Sequence, residues 1–234
     1  MKKLITLTAV LCLCFSQLNG QSSARGYLGK KNLTSYTLGY TLFNYPNSSY
    51  NLEFVHRLKQ EIVVSQKSSL AGLLEYRHTQ GQYFNPESPT SYTASKDFNI
   101  LEVGFRYVYS KRLNSPVGPY REVGISYAHS MVSFDENEFI AEDPSEVWMQ
   151  ESASTSGAAF KFSYGWGYRR MVSNSVFLQY GIEFAYAYNL SSNKDVPQNA
   201  TNTKQNFLDQ NSFYAGQIAS GFSGVFKIAI GGIY

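Results

Sequence analysis

An all-β fold, an eight-stranded antiparallel up-and-down transmembrane β-barrel, is the class this sequence predicts, and three observations carry it. Apolar and polar residues alternate with period two along eight segments, the signature of strands with one apolar and one polar face. The segments are of about the ten residues, or more, that a tilted strand needs to cross a bilayer. Their connections alternate between short and long, as in a barrel with turns at one end and loops at the other. Composition agrees: 16% of the 234 residues are aromatic, 19 are Tyr, and only 16% are charged. Such a chain suits a wall in which alternate residues meet lipid.

The chain opens on a segment expected to be removed. Lys2 and Lys3 precede an apolar run from Leu4 to Phe15, and Ser16 to Gly20 is a polar cleavage region. Residues 1–20 therefore read as a secretory signal peptide, cut before Gln21. The run is too short to span a bilayer as a helix. Cys12 and Cys14 lie inside it, each preceded by leucine rather than a small residue, so lipidation is not expected. The mature chain then has no cysteine, which excludes disulfides, thiolate chemistry and Cys-ligated metal. The formal charge of +3, less Lys2 and Lys3, becomes +1, which leaves no case for a nucleic-acid partner. Residues 21–32, with Arg25, Lys30 and Lys31, read as a basic periplasmic segment, and 33–234 as the barrel.

The first strand runs from Leu33 to Phe43, with Tyr36, Leu38, Tyr40 and Leu42 against Thr37, Gly39 and Thr41. Asn44 to Ser49 is a turn by its Pro and Asn content, and its length does not assign it to either end. The second strand, Leu52 to Ser65, sets Leu52, Phe54, Leu58, Ile62 and Val64 against Glu53, Arg57, Lys59 and Glu61. A short turn leads to the third, Ser69 to Phe84, and a loop with two prolines spans 85–96. The fourth strand, Asp97 to Lys111, opposes Leu101, Val103, Phe105, Tyr107 and Tyr109 to Glu102, Gly104 and Arg106.

After another short turn, the fifth strand, Tyr120 to Phe134, opposes Val123, Ile125, Tyr127 and Met131 to Glu122, Gly124, Ser126 and Ala128. Residues 135–155 form a long loop with seven acidic residues and no basic one. The sixth strand, Ser156 to Val172, carries Phe160, Phe162, Tyr164, Trp166 and Tyr168 on one face. The seventh, Val176 to Leu190, follows a tight Ser173-Asn174-Ser175 turn. Residues 191–221 read as a polar, mobile loop. The last strand runs from Phe222 to Tyr234, with Phe226, Ile228, Ile230 and Tyr234 on one parity.

Charge decides which face is inside. Glu53, Arg57, Lys59, Glu61, Glu75, Arg77, Glu102, Arg106, Glu122, Lys161, Arg169, Glu183 and Lys227 all share the face opposite the large apolar residues. An Arg or Lys facing lipid at mid-bilayer costs about 2–4 kcal/mol, whereas one facing the lumen can pair across the tube. Seven of these residues are basic and six acidic, a balance suited to a mutually neutralising network. Gly and Ala accompany them, making room for long side chains in a barrel only wide enough to be filled by its own residues. The expectation is a plugged lumen. Arg121 and Arg170 break the parity, and their places at strand ends suit a rim. The rival geometry is a soluble lipocalin-like carrier with the polar face outward; the long strands and many outer aromatics weigh against it.

Candidate chemistry is sparse. His129 precedes Ser130, which points to the opposite face, and Ser133 lies about 13 Å along the strand, beyond the reach a nucleophile and its base need. His56 and His78 are the other two histidines, and no catalytic residue is expected. The acidic loop holds oxygen ligands suited to Ca²⁺ or Mg²⁺, but in no metal-loop spacing, so neither a metal nor a cofactor is expected. Phe139, Ile140, Val147, Trp148 and Met149 in the same loop suit packing on the rim or contact with a partner.

The GYLGKK start, the eight alternating segments and the closing FKIAIGGIY resemble the small outer-membrane β-barrel proteins of Bacteroidetes-type bacteria. More distantly the chain resembles the OmpX type, the membrane domain of OmpA and the porin family. The resemblance covers the mature chain. It implies an outer-membrane location reached through a cleaved signal peptide, surrounding lipid and a monomer. It implies that the barrel-assembly machinery reads Phe226, Ile228, Ile230 and Tyr234 as a C-terminal signal. The peptidoglycan-binding domain of full OmpA proteins is not expected, because the chain ends with the barrel. The role expected is structural or surface-interactive: membrane integrity, adhesion, or service to a secretion or assembly complex. An extracellular or complex partner would meet loops 85–96, 135–155 and 191–221. A narrow pore for small solutes is the alternative, followed by a lipid A-modifying enzyme.

Overall fold

In the computed structural model, residues 29–45, 53–82, 95–111, 117–134, 153–191 and 204–234 are described. Eight antiparallel strands follow the chain in order and close into a barrel. They are β1 (Asn32–Tyr45), β2 (Phe54–Val63), β3 (Ser68–Gln82), β4 (Ser95–Ser110), β5 (Gly118–Phe134), β6 (Ala153–Met171), β7 (Val176–Asn189) and β8 (Gly221–Ile233). One helix, α1 (Lys204–Ala219), stands between β7 and β8. Closure matters because an open sheet would present unpaired backbone along its edge strands. Here β1 pairs with β8 from Leu33 opposite Ile233 to Tyr45 opposite Phe222.

The last residue is held in this seam. Tyr234 O accepts from Lys31 N (3.2 Å) and Asn32 N (2.9 Å), and Tyr234 N donates to Asn32 O. Its hydroxyl meets Thr34 Oγ1 at 3.0 Å and accepts from Gln60 Nε2 at 3.2 Å. A bulge between Thr41 and Phe43 shifts the register. As a result Phe43 turns outward beside Leu42, against Phe222 and Phe184 at ring-centroid distances of 5.5 and 6.1 Å. Gly224 lies directly beneath the Phe43 ring, where a Cβ has no room.

The short connections 64–67, 111–117 and 172–175 lie at one end, with the start of β1 and the end of β8. Hydrogen bonds tighten two of these turns, Ser65 N to Ser68 O at 3.0 Å and Val172 N to Val176 O at 2.8 Å. Because β1 starts at that end, its connection to β2 falls at the long-loop end. The positions expected in the loops 85–96 and 135–155 are corrected at their edges. Residues 95–96 already pair in β4, opposite Gln82 and Gly81, and 153–155 in β6, opposite Phe134 to Val132, because the partner strands run on far enough to hold them. Asn44 and Tyr45, expected in the turn 44–49, pair with Ser223 and Phe222 in β1 instead, while the rest of that turn, the rest of those loops, the acidic cluster and the signal segment lie outside the described residues.

The expectation of a mobile polar loop over 191–221 is overturned for its second half. Residues 204–219 form α1 and 221 begins β8. Its inward residues recur as Asn211, Ala215, Ile218 and Ala219, the spacing of one helical face. The helix stops where Ser220 N donates to Gln217 O at 3.1 Å and Gly221 takes φ +99°, a left-handed conformation that glycine adopts without a Cβ clash.

The wall has two unlike faces. Outward positions carry large apolar side chains in every strand, among them Tyr36, Leu58, Leu74, Val103, Ile125, Phe162, Leu178 and Ile228. Polar outward residues gather toward the ends. His78, Asp97 and Asn99 lie together at the long-loop end, and Thr34, Gln60, Arg121 and Arg170 lie at the short-turn end. The charged parity faces the lumen, so the soluble lipocalin-like geometry does not describe this chain.

Candidate functional site: the occluded lumen

The thirteen charged residues expected in the lumen all point inward, and none is more than 4% exposed. Period two places them there: each shares a face with the small residues of its strand, while its sequence neighbours face out. Around them the lumen is layered along the barrel axis.

At the short-turn end, Leu33, Val63, Phe177 and Ile233 form an apolar cluster, with Met171 packed against it. Directly above it, the Arg169 guanidinium lies 4.9 Å from the Phe177 ring centroid and 5.6 Å from that of Tyr120. Arg169 also donates to both oxygens of Glu61 (3.1 and 2.8 Å) and twice to Gln179 Oε1 (3.0 and 2.8 Å). Gln179 in turn donates to the Tyr120 hydroxyl at 2.8 Å, and Ser69 Oγ donates to Glu61 at 2.5 Å. A fork-shaped cation thus has its plane stacked and its edges bonded.

The middle layer is ionic. Lys59 stands between Glu61 (3.3 Å) and Glu122 (3.5 Å). Lys227 donates to Glu122 and, at 3.1 Å, to Glu183. Arg57 bridges Glu75 and Glu183. Arg106 reaches Glu102 (3.4 Å) and Glu183 (3.6 Å), and Lys161 reaches Glu102 (2.8 Å) and Glu75 (3.7 Å). Arg77 lies 4.0 Å from Glu75. Glu53, nearer the long-loop end, accepts from Thr79 Oγ1. Desolvating so many ions costs about as much as their attraction returns. What the network adds is a fixed arrangement, because Glu61, Glu75, Glu102, Glu122 and Glu183 each hold a cation from a strand that is not their neighbour. Space for it comes from glycine: the Arg106 side chain crosses the position that a Cβ on Gly124 would occupy.

The long-loop end is filled by α1. Ala215, Ile218 and Ala219 pack on the inward residues Phe98, Ile100, Ala128, Val132, Ala159 and Ala187 of β4 to β7. The helix backbone rests on β6 at Gly157, where a Cβ would strike Gly216 and Ser212. Ser212 Oγ donates to Ser156 O at 2.6 Å, and Asn189 Nδ2 donates to Phe213 O at 3.2 Å.

Sequence reasoning placed Gln179 and Ser126 on the charged face of their strands but did not name Tyr120, Ser69 and Thr79 as members of this interior. Their signal was parity alone, since all five share the charged face of their strands. The helix was missed because its inward face is made of Asn, Ala and a single Ile rather than a conspicuous apolar stripe.

The histidines face outward. His56 Nδ1 lies 2.6 Å from the Tyr36 hydroxyl, and His78 meets Asn99 and Asp97. His129 points out while Ser130 is buried inside. Among the described residues no group of three His, Cys, Asp or Glu is placed to hold a metal ion. Phe226, Ile228, Ile230 and Tyr234 are all exposed on the outer face of β8.

No protein-family model and no curated protein matches the sequence. Among solved structures, the chain is similar to Ail, the attachment invasion locus protein of Yersinia pestis, in complex with the heparin analogue sucrose octasulfate. Identity is 10% over 88% of this chain and 97% of that one, with a TM-score of 0.46. It is similar to the N-terminal β-barrel domain of Pseudomonas aeruginosa OprF at 9% identity over 88% and 99% of the two chains, TM-score 0.40. Neisserial surface protein A is similar at 12% identity over 87% and 96%, TM-score 0.41.

Proposed function

We propose that this chain is an outer-membrane β-barrel whose lumen is closed by its own side chains, with a structural or surface-interactive role and no catalytic one. The observation that carries the reading is the outer wall. Every strand turns large apolar residues outward, and the outward polar groups sit toward the ends. Left in water, such side chains forfeit about 1.5–3 kcal/mol each relative to burial, and a continuous belt far exceeds the apolar patches that soluble monomers expose. A bilayer removes that cost, and a closed barrel is one of the two structures that satisfy every backbone group within it. The short turns then face the periplasm and the long loops the outside. Loops 85–94, 135–152 and 192–203 are the surface offered to an extracellular or complex partner.

Heat-modifiability on SDS gels of isolated outer membranes tests this. The unboiled chain is expected to migrate faster than the boiled one. A chain found in the soluble periplasmic fraction with no shift would sink the reading.

One observation favours a narrow pore as the second reading. Thr41 Oγ1, Ser130 Oγ and Ser163 Oγ are buried in the lumen without hydrogen-bond partners, places where water can stand. Planar-bilayer conductance separates the two: unitary steps support the pore, and a silent membrane supports the closed barrel.

A further inference from the structure

The lumen accounts for the interior charges but not for the outward cations at the short-turn end, Lys111 and Arg121 among them. At the short-turn end a groove of about 340 Å³ opens on the outer wall between β5 and β6. It is lined by Lys111, Pro119, Tyr120, Arg121, Tyr164, Trp166 and Gly167. Arg121 stands directly opposite Trp166 in the β5–β6 register. Lys111 is fixed at the turn, where its backbone N donates to Pro119 O at 3.1 Å. Both cations are exposed, and no carboxylate lines the groove. The acidic side chains nearest this end among the described residues, Glu61 and Glu122, point into the lumen and are spent on Arg169, Lys59 and Lys227.

We propose that this groove binds the phosphate-bearing headgroup of an anionic phospholipid in the periplasmic leaflet. The proposal rests on the bilayer reading above. Four features converge on a lipid rather than on water-facing solvation. Tyr and Trp side chains settle at the boundary between hydrocarbon and headgroups, and Tyr164 and Trp166 place the groove at that depth. Arg and Lys near that boundary extend their stems along the wall and hold their charge at headgroup level. The guanidinium of Arg121 presents paired donors that match phosphate oxygens, with the Lys111 ammonium as a second point charge. Above Arg121 on the same strand face lie Val123 and Ile125, both exposed, a track for the acyl chains.

The test uses the full mature chain carrying Trp148→Phe, which leaves Trp166 as the sole tryptophan of the original two. It is folded into phosphatidylcholine vesicles containing a few per cent of phosphatidylglycerol brominated on its acyl chains. In parallel, the same fraction of brominated phosphatidylcholine is used. Bromine quenches Trp166 only when the labelled lipid is its neighbour. The wild-type groove is expected to favour the anionic label, and Lys111→Gln with Arg121→Gln to lose that preference by roughly twenty-five-fold, since each cation near an anionic surface contributes about fivefold. Arg170→Gln, on the same rim but outside the groove, is expected to keep it.

Equal quenching by the two labels in the wild type overturns the site, as does an Arg170→Gln loss as large as that of the double variant. Reversal of the preference by millimolar inorganic phosphate assigns the groove to free phosphate and overturns the lipid. A chain that fails to insert, seen by absence of the heat-modifiable band, sinks the bilayer reading and the site together. Insertion without preference sinks the site alone.

Discussion

Arg57 on β2 and Glu183 on β7 clasp each other across the lumen through two hydrogen bonds, Nη1 to Oε2 at 2.7 Å and Nη2 to Oε1 at 2.9 Å. The same carboxylate faces Lys227 at 3.1 Å and Arg106 at 3.6 Å. Glu183 is therefore the anion on which three cations converge, and the first prediction follows from its removal. Glu183→Gln leaves those cations buried with less compensation, a loss of about 3–5 kcal/mol for a broken buried pair. Glu53→Gln keeps its acceptor for Thr79 Oγ1 and loses no hydrogen bond, so it is expected to cost less than about 1 kcal/mol, the scale of one such bond. Urea unfolding in detergent micelles, followed by the heat-modifiable band, compares them. Equal midpoints for the two variants would contradict a network centred on Glu183.

Gly124 gives a second prediction, about space rather than charge. The Arg106 side chain runs through the position of a Cβ on Gly124. Gly124→Ala is expected to destabilise the barrel by about 1–3 kcal/mol, the usual penalty for overpacking. In an Arg106→Ala background the obstacle is gone, and the same substitution is expected to cost almost nothing. The double-mutant cycle isolates that coupling; additive costs would show that the glycine is there for another reason.

These two cases also show what was legible in the sequence. Strand number, wall orientation and the thirteen inward charges could be read because period two and the cost of a charge in lipid act locally, residue by residue. Arg57 needs only its own parity to be placed inside. Its choice of Glu183 over Glu102 depends on the tilt and closure of the barrel, which no local pattern states. The helix was hidden for a similar reason. Ala215, Ile218 and Ala219 are too few and too small to announce an amphipathic segment, and the apolar surface that holds them is Phe98, Ile100 and Val132, contributed by distant strands. Phe43 was missed because a bulge moved it to the outer face, and β-bulges leave no signature in alternation until they break it.

Tyr234 supplies a third prediction, which separates stability from assembly. Its hydroxyl meets Thr34 and Gln60, and its ring is exposed on the outer face. Tyr234→Phe keeps the aromatic ring and loses hydrogen bonds worth about 0.5–1.5 kcal/mol. It is expected to assemble normally in cells and unfold slightly earlier in urea. Tyr234→Ala removes the ring and, on the proposal that Phe226, Ile228, Ile230 and Tyr234 form the signal read by the assembly machinery, is expected to lower the heat-modifiable fraction in isolated outer membranes several-fold. Normal assembly of Tyr234→Ala would remove Tyr234 from that signal.

The helix in the mouth of the barrel invites the view that it is a stopper whose departure opens a pore, and the layering of the lumen argues otherwise. Gly157 is the point where the helix backbone touches β6, with Gly216 and Ser212 across from it. Gly157→Leu sets a branched side chain there and is expected to lift the helix off the wall, since neither backbone can yield by the width of that side chain. Limited proteolysis within 204–219 is then expected to become faster. Beneath the helix, however, the Arg57–Glu183–Lys227 layer and the Leu33, Val63, Phe177 and Ile233 cluster remain in place. Conductance across a planar bilayer is therefore expected to stay at baseline for Gly157→Leu. Channel openings in that variant alone would show that the helix, and not the ionic layer, closes the tube, and the narrow-pore reading would then take precedence.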